Sequence, residues 1–468
     1  MRLRDKNVEL IVHVRNAMPS ILRGDETHVR QVFTNILTIL SFLHIDLKLF
    51  LSNENVEGFS FEYRSMPFVN KDHNYISVDE YQEIEKYAND HFIDLVPNQN
   101  GFGHMTDWLK LDEFKHLGNF DGLFHIWGSN RACSTLDPTN NESFELVKKM
   151  YDDMLPYANS KYFNMNFDEP YELGYGKSKE LCDEIGKEKV YTNFYNKLAK
   201  VVKGYNKTPM LWGDVIINHP EAINDVDPDA ILIDWGYCDD YPFLKTAKML
   251  NKLKRPYILA PGASGWAMGT GKYLEMLGSV KHAAEACYNN NGLGLLYTDW
   301  GDFGHLQYPI YALPGIIYTA LLCWNYKKTS EHQIKDVLTT LLEDDTLAQM
   351  VIDLQLYNQQ EEVYRGYSSK LFNPIIQAEL CATESDELGV FKTRMINQLL
   401  TPKEIDNYHN YFQYLEKKLN LVSFTSQKLI YQEMENSILL LKTLLDAHII
   451  LKGLFNKTVN EEAFTKLM

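Results

Sequence analysis

Two adjacent carboxylates, Asp168 and Glu169, follow a short apolar stretch and directly precede Pro170. Residues 162–167 alternate in character as a β-strand does, and Pro170 ends that pattern. Where a chain turns at the end of a strand, two neighbouring side chains can reach one pocket. Two carboxylates in different environments are the groups that most often cleave a glycosidic bond, although most Asp-Glu pairs lie in solvated loops. The pair is therefore a candidate catalytic site.

Aromatic and acidic residues recur together in other parts of the chain, again at the ends of apolar stretches. These further segments are Trp212-Gly213-Asp214, Asp234-Trp235-Gly236-Tyr237, 262–266 ending in Trp266, and Asp299-Trp300-Gly301-Asp302. They hold four of the seven tryptophans of the chain. A single tryptophan is more often a core residue than a ligand contact. Four at equivalent places favour a pocket with an aromatic wall and acidic acceptors for hydroxyl groups, which is typical of a sugar site.

The elements that must position these residues are strands that alternate with helices. The β-rich runs are residues 44–50, 92–97, 122–127, 162–167, 209–212, 230–235, 256–260 and 294–299. The third of them is the weakest, because residues 133–136 compete with it. Eight strands alternating with helices predict a closed parallel (β/α)8 barrel of the TIM type, in which ligands bind at the carboxyl ends of the strands.

After residue 328 the strand pattern stops, and helical periodicity rich in Leu, Lys and Glu continues to the end of the chain. The sequence thus predicts three parts: an N-terminal segment (1–40), a catalytic barrel (41–328) and an α-helical C-terminal domain (329–468). The helical domain is interpreted as a packing or dimerisation element, so a homodimer is one expected assembly.

Composition excludes several classes of function. The formal charge of −17 argues against nucleic acid or an anionic membrane as the main partner. The six cysteines are scattered without a C-x-x-C motif, so neither a zinc site nor a disulfide framework is expected. The chain shows no apolar run of membrane-spanning length and no signal-peptide pattern, and a cytoplasmic location is expected.

Four motifs of the chain resemble those of family 20 glycoside hydrolases, the β-N-acetylhexosaminidases. They are FIDLVPNQNGFGH (residues 92–104), STLDP (134–138), FNMNFDE (163–169) with LGYGKS (173–178), and TDWGDFGH (298–305). The resemblance covers roughly residues 40–375 and is greatest to exo-hexosaminidases of bacteria and animals whose barrel precedes a helical domain. It implies that terminal N-acetylglucosamine or N-acetylgalactosamine is removed from oligosaccharides or glycoconjugates, without a metal or cofactor.

The resemblance also implies roles for individual residues. The 2-acetamido oxygen of the substrate would attack the anomeric carbon, Asp168 would orient the acetamide, and Glu169 would be the general acid, with a raised pKa. His104 would support Glu169, or else be an ordinary core histidine. The remaining candidate contacts are Trp212, Trp235 and Trp300 for the pocket wall, Asp214 and Asp302 for hydroxyl groups, and Tyr237 or Trp266 for the acetamide oxygen.

The chain departs from the family pattern in three places. One is the end of the first strand, where the arginine that holds the 3- and 4-hydroxyls of the sugar in many members has no clear match. Many members have His-x-Gly-Gly before the acids, whereas Asn164, Asn166 and Phe167 stand here. Residues 8–37 resemble a fragment of a histidine-kinase ATPase domain around Asn35, without the glycine-rich nucleotide lid. A kinase is therefore not expected. The second hypothesis is a catalytically inactive sugar-binding or sensor protein joined to a signalling fragment.

Overall fold

The fold is built around a closed barrel of eight parallel strands. The computed structural model describes residues 9–15, 47–52, 61–70, 75–126, 129–266, 268–300, 306–362, 368–374, 399–422 and 427–455. The bounds of its strands are Glu9–Arg15 (β1), Leu47–Ser52 (β2), Ile93–Asn98 (β3), Tyr162–Asn164 (β6), Thr208–Trp212 (β7), Ile231–Trp235 (β8), Tyr257–Ala260 (β9) and Gly294–Asp299 (β10). Around the barrel these strands follow the order β1, β10, β9, β8, β7, β6, β3 and β2. The predicted fold class is confirmed.

Helices cover the outside of the barrel. They are α1 (Val78–Asp90), α2 (Thr106–Lys110), α3 (Asn141–Met154), α4 (Lys179–Ile185), α5 (Lys187–Gly204), α6 (Asp214–Ile217), α7 (Phe243–Lys252), α8 (Tyr273–Asn289) and α9 (Leu313–Asn325). Because helices pack on the outer face and side chains fill the lumen, strands β7 to β10 are buried on both faces. Their sequences accordingly read as continuous apolar runs.

The interior of the barrel is an apolar layer contributed by successive strands. Its buried residues are Val96, Met210, Trp212, Ile231, Ile233, Ile258, Ala260 and Leu296. Trp212 is only 1% exposed, although it ends β7 beside the carboxyl rim. Its indole thus closes the carboxyl end of the lumen and lies directly beneath the rim.

One of the eight predicted strands lies outside the barrel, and a strand that was not predicted takes its place. Residues 122–127 do not enter the barrel; β4 (Leu123–Ile126) pairs antiparallel with β5 (Ser129–Ala132) as a separate two-stranded sheet. A local hairpin and a barrel strand share the same alternation of side chains, and the sequence pattern cannot distinguish them. The eighth barrel strand is instead β1, which pairs with both β10 and β2. The barrel therefore takes one strand from the segment before residue 41, while the predicted domain boundaries themselves stay a prediction.

The C-terminal region is helical, as predicted. Its helices are α10 (His332–Leu342), α11 (Asp345–Leu354), α12 (Pro402–Leu419) and α13 (Lys428–Phe455). Helix α12 begins with a capping box in which Thr401 and Glu404 satisfy each other's backbone N–H groups. Among the described helices, none is both long and apolar enough to cross a membrane.

The helical region packs on the loop that follows β9. The Thr270 hydroxyl donates to the carbonyl of Leu354 across 2.6 Å, and the backbone N–H of Gly269 donates to the Tyr357 hydroxyl across 3.3 Å. Ser437 of α13 accepts a 2.7 Å hydrogen bond from the Tyr311 hydroxyl. Since the same loop carries Trp266, the C-terminal helices support one side of the barrel rim.

Candidate functional site

Asp168 and Glu169 lie in the loop after β6, on a backbone that is locally left-handed. Asn166, Phe167 and Glu169 have φ values of 61°, 69° and 50°. Such conformations are unfavourable for residues other than glycine and persist only where surrounding contacts impose them. Here the backbone N–H of Trp212 donates to the carbonyl of Asn166 across 2.9 Å, and the Tyr191 hydroxyl donates to the carbonyl of Phe167 across 2.8 Å.

The loop after β3 lies directly against this segment. The backbone N–H of Gly101 donates to the carbonyl of Met165 across 3.2 Å. A Cβ atom on Gly103 would stand 2.3 Å from the carbonyl oxygen of Asp168, so only glycine allows this approach. The close approach brings the next residue, His104, to the two acids.

His104 bridges the two carboxylates. Its Nε2 lies 3.1 Å from Oδ2 of Asp168 and 3.4 Å from Oε2 of Glu169. Burial lowers the pKa of His104, but the charge of Asp168 and hydrogen bonds to both acids outweigh it, so the pKa lies well above its ordinary value. His104 is therefore a cation between two anions. The predicted association of His104 with Glu169 is present, and the closer contact is to Asp168.

The pKa of Glu169 does not follow the sequence-based expectation. Burial raises it, but hydrogen bonding and charge from His104, a hydrogen bond from Tyr171 and the charge of Arg131 together hold it below its ordinary value. The expectation of a raised pKa is thus wrong for the unliganded site, because it counted the apolar wall and Asp168 but no cation. Tyr171 and Arg131 were not among the sequence candidates.

Asp214 supports the pair from β7. Its Oδ2 accepts the backbone N–H of Glu169 across 3.1 Å. Its Oδ1 is buried and has no hydrogen-bond partner among the described residues. Burial, followed by the negative charge of Asp168, raises the pKa of Asp214 to about 8. Asp214 was predicted to bind substrate, and that role stays a prediction; the described contacts show that its carboxylate also holds the backbone of the neighbouring acid.

A buried amide network lies beneath the acids. Oδ1 of Asn166 accepts hydrogen bonds from the indole Nε1 of Trp212 (2.9 Å) and from Nδ2 of Asn164 (3.0 Å). Nδ2 of Asn166 donates to Oδ1 of Asn98 on the neighbouring strand. Asn164 and Asn166 occupy positions where the sequence departs from the family pattern. They orient Trp212 and tie β6 to β3.

Four aromatic residues form a continuous wall beside Trp212. The Trp300 indole Nε1 donates to the Tyr237 hydroxyl across 2.7 Å, and the rings of Trp300 and Trp212 lie 5.7 Å apart. Tyr237 stacks on Trp235 (5.4 Å, 26°) and meets Trp266 edge-on (4.6 Å). The structure therefore brings together Trp212, Trp235, Tyr237, Trp266 and Trp300, which the sequence had placed on four separate loops. Asp302 lies outside the described residues.

His104, Asp168 and Glu169 are also a set that could hold a metal ion. One ligand atom from each lies within 4.8 Å of the others. However, Nε2 of His104 already makes ion pairs with both acids. The arrangement is that of a charge-paired triad rather than of three ligands held apart for a cation, and it suits proton transfer beside an aromatic pocket.

Comparison with known proteins gives a family match for part of the chain. Residues 51–261 match the family model "Glycosyl hydrolase family 20, catalytic domain". The match includes β6 and both acids, and the C-terminal rim of the barrel is where such folds bind their ligands. These comparisons do not support the resemblance of residues 8–37 to a histidine kinase.

Relatives of known name are distant. The chain is 27% identical to a lacto-N-biosidase of Bifidobacterium bifidum over 174 residues, which are 35% of this chain and 15% of that protein. It is 23% identical to hexosaminidase D of Bos taurus, over 53% of this chain and 74% of that protein. The chain thus spans only a small part of the first of these relatives.

The barrel and the helical region are shared with a solved structure. A chitobiase of Flavobacterium johnsoniae superposes with a TM-score of 0.56 at 15% identity, over 97% of this chain and 74% of that chain. At this identity the likeness concerns the fold.

Proposed function

We propose that the chain, whose residues 51–261 match the family model of the glycosyl hydrolase family 20 catalytic domain, is an exo-acting β-N-acetylhexosaminidase. It removes terminal N-acetylglucosamine or N-acetylgalactosamine from the non-reducing end of glycans. The observation that carries the proposal is the pairing of Asp168 and Glu169 with His104 Nε2, at 3.1 and 3.4 Å, beside the aromatic wall.

The proposed reaction is retaining and substrate-assisted. The acetamido oxygen of the substrate attacks the anomeric carbon and the glycosidic C–O bond breaks, which gives an oxazolinium ion. Water then opens this ion with net retention of configuration. Since the nucleophile is part of the substrate, the attack is intramolecular and benefits from a high effective concentration.

Asp168 orients the acetamide and balances the charge that develops on its nitrogen. It is suited to this role because His104 holds its Oδ2 and the left-handed backbone fixes its direction. A carboxylate already fixed in place needs little reorganisation as charge develops, and such preorganised electrostatics are often the largest contribution to catalysis.

Glu169 protonates the leaving oxygen and then accepts a proton from water. Hydrogen bonding and charge from His104 lower the pKa of Glu169, so we infer that the proton is acquired as substrate binds. A bound sugar would remove water from the side chain of Glu169, which is 27% exposed. Desolvation raises the pKa of a carboxyl group, so Glu169 gains its proton more readily with substrate in place.

Trp212, Trp235 and Trp300 would enclose the acetamido group and the sugar face, with Tyr237 or Trp266 donating to the acetamide oxygen. Asp302 stays a proposed acceptor for the 4- or 6-hydroxyl. Apolar rings suit the methyl group and the C–H face of a pyranose, while the few polar atoms fix its orientation.

The test is hydrolysis of paired chromogenic N-acetylglucosaminide and N-acetylgalactosaminide, with the 2-hydroxy glucoside as comparison. We expect turnover of one or both acetamido sugars, no measurable turnover of the glucoside, and tight inhibition by a thiazoline mimic of the oxazolinium ion. Glu169→Gln should lower turnover by about 10²- to 10⁴-fold, and by less for leaving groups that need no proton. Binding of the acetamido sugars without any turnover would contradict the proposal.

A further inference from the structure

The hairpin formed by β4 and β5 presents one face toward the loop that carries the catalytic acids. Phe124 is directly opposite Arg131 in the hairpin register, so their side chains lie on the same face. The ring of Phe124 lies 5.3 Å from the ring of Tyr175, which is in the loop after Glu169. Arg131 is therefore on the face that turns toward the acid loop.

This face is open to solvent but firmly held. Tyr175 is 53% exposed, and Arg131 is also exposed. Nδ2 of Asn119 donates to the carbonyl oxygens of Tyr175 (3.0 Å) and Glu172 (2.5 Å). The buried carboxylate of Glu172 accepts the backbone N–H of Ser134 across 2.9 Å, just after the hairpin. Both ends of the hairpin are thus tied to the loop that begins at Glu169.

The charge of Arg131 affects the pKa of Glu169. Arg131 is one of the groups that hold the pKa of Glu169 below its ordinary value, after His104 and Tyr171. Groups of the opposite sign also lie nearby: burial and the charges of Asp168 and Asp214 raise the pKa of the neighbouring Tyr171, and the Glu172 carboxylate lies just after the hairpin. The hairpin cation consequently belongs to the electrostatic environment of Glu169.

We propose that Arg131, Phe124 and Tyr175 form a binding site for the leaving group, and that this site takes a sugar carrying a carboxylate or a sulfate. The inference rests on the proposed function, since a leaving group exists only if Glu169 donates a proton to a glycosidic oxygen. An exposed tyrosine ring is a stacking surface for a pyranose. A guanidinium presents a planar fork of donors that matches carboxylate or sulfate oxygens.

An anion bound at this site has a second effect. By neutralising Arg131 it removes one of the positive charges that lower the pKa of Glu169. The acid then holds its proton to higher pH when the anionic substrate is bound. The guanidinium of Arg131 thus couples recognition of the leaving group to protonation of Glu169.

The experiment compares three disaccharides that share a β-linked N-acetylhexosamine and differ in the second sugar: a uronate, a sulfated hexose and a neutral hexose. For the wild-type chain we expect kcat/KM to be about 5- to 50-fold higher for at least one anionic sugar than for the neutral one. This preference should decrease with added salt. The uronate and sulfate arms show which anion is recognised.

Arg131→Gln should abolish most of that preference, and Arg131→Lys should retain part of it. Arg64→Gln is the matched control, because Arg64 pairs with Glu62 at 3.2 Å and with Tyr157 in the turn before β6. Equal preference in the wild type and Arg131→Gln, or no preference in the wild type, overturns the proposed site. If the wild type fails to cleave even a simple aryl N-acetylhexosaminide, the proposed function itself has failed, and the two results are therefore distinguishable.

Discussion

The carboxylate of Asp214 accepts the backbone N–H of Glu169 across 3.1 Å, so the segment after β7 holds the acid that follows β6. Glu169 has a φ of 50°, and this hydrogen bond is one of the contacts that can stabilise that conformation. We therefore propose that Asp214 is a positioning residue. It acts on the reaction through the backbone of its neighbour.

We expect Asp214→Ala to lower kcat by about 10- to 100-fold, because a misplaced general acid loses much of its 10²- to 10⁴-fold contribution. Asp214→Asn keeps an acceptor oxygen at the same place and should retain most of the activity. Steady-state kinetics of both variants give the comparison, with circular dichroism to confirm folding. Equal losses in the two variants would show that the charge, rather than the hydrogen bond, is what matters.

Asp214 should also make stability depend on pH. Its pKa is about 8 in the folded chain and about 4 in the unfolded chain. Between these values the folded state holds a proton that the unfolded state has released. The stabilising contribution is therefore complete below about pH 4 and is lost as the pH rises to about 8. Between about pH 5 and 8, Tm should fall more steeply for the wild type than for Asp214→Asn. Parallel curves would contradict the assignment.

His104→Gln should shift the pH profile of the reaction. His104 lowers the pKa of Glu169, so its replacement by a neutral side chain should raise that pKa. Since the proposed general acid must be protonated, the descending limb of kcat/KM should move to higher pH for a substrate with a poor leaving group. His116→Gln is the control, because His116 pairs with Glu142 at the surface at 3.0 Å. If the descending limb stays at its wild-type pH, His104 does not lower the pKa of Glu169.

Tyr237→Phe tests the aromatic wall. The substitution keeps the ring that stacks on Trp235 but removes the oxygen that accepts from Trp300 across 2.7 Å. If Tyr237 donates to the acetamido group as proposed, the substitution also removes that hydrogen bond, which is worth about 1–3 kcal/mol, so the thiazoline inhibitor should bind roughly 5- to 100-fold more weakly. Tyr205→Phe removes a comparable bond to Asp152 on the outside of the barrel and should leave inhibitor affinity close to that of the wild type.

The sequence predicted the barrel and most of its rim because strand ends carry recognisable residues. Trp212, Trp235 and Trp300 end or directly follow β7, β8 and β10, and each lies beside a glycine. Such local motifs can be recognised as strand ends before the fold is known. The barrel topology then brings them to one rim.

What the sequence could not supply depended on contacts between distant segments. His104 and Asp168 are 64 residues apart, and only their contact makes His104 a cation that lowers the pKa of Glu169. The pairing of β4 with β5 is a different case, because the partner is local: the same alternating pattern suits a hairpin and a barrel strand, and the pattern alone cannot choose between them.

The close approach of Gly103 to Asp168 limits how this enzyme domain can be altered. A methyl group at residue 103 would collide with the carbonyl oxygen of Asp168, so the loop after β3 and the acid loop cannot accumulate substitutions independently. New specificities would have to arise elsewhere on the rim. If the proposed leaving-group site is correct, substitutions in the hairpin of β4 and β5, at Arg131 above all, would change the substrate while Asp168 and Glu169 keep their places.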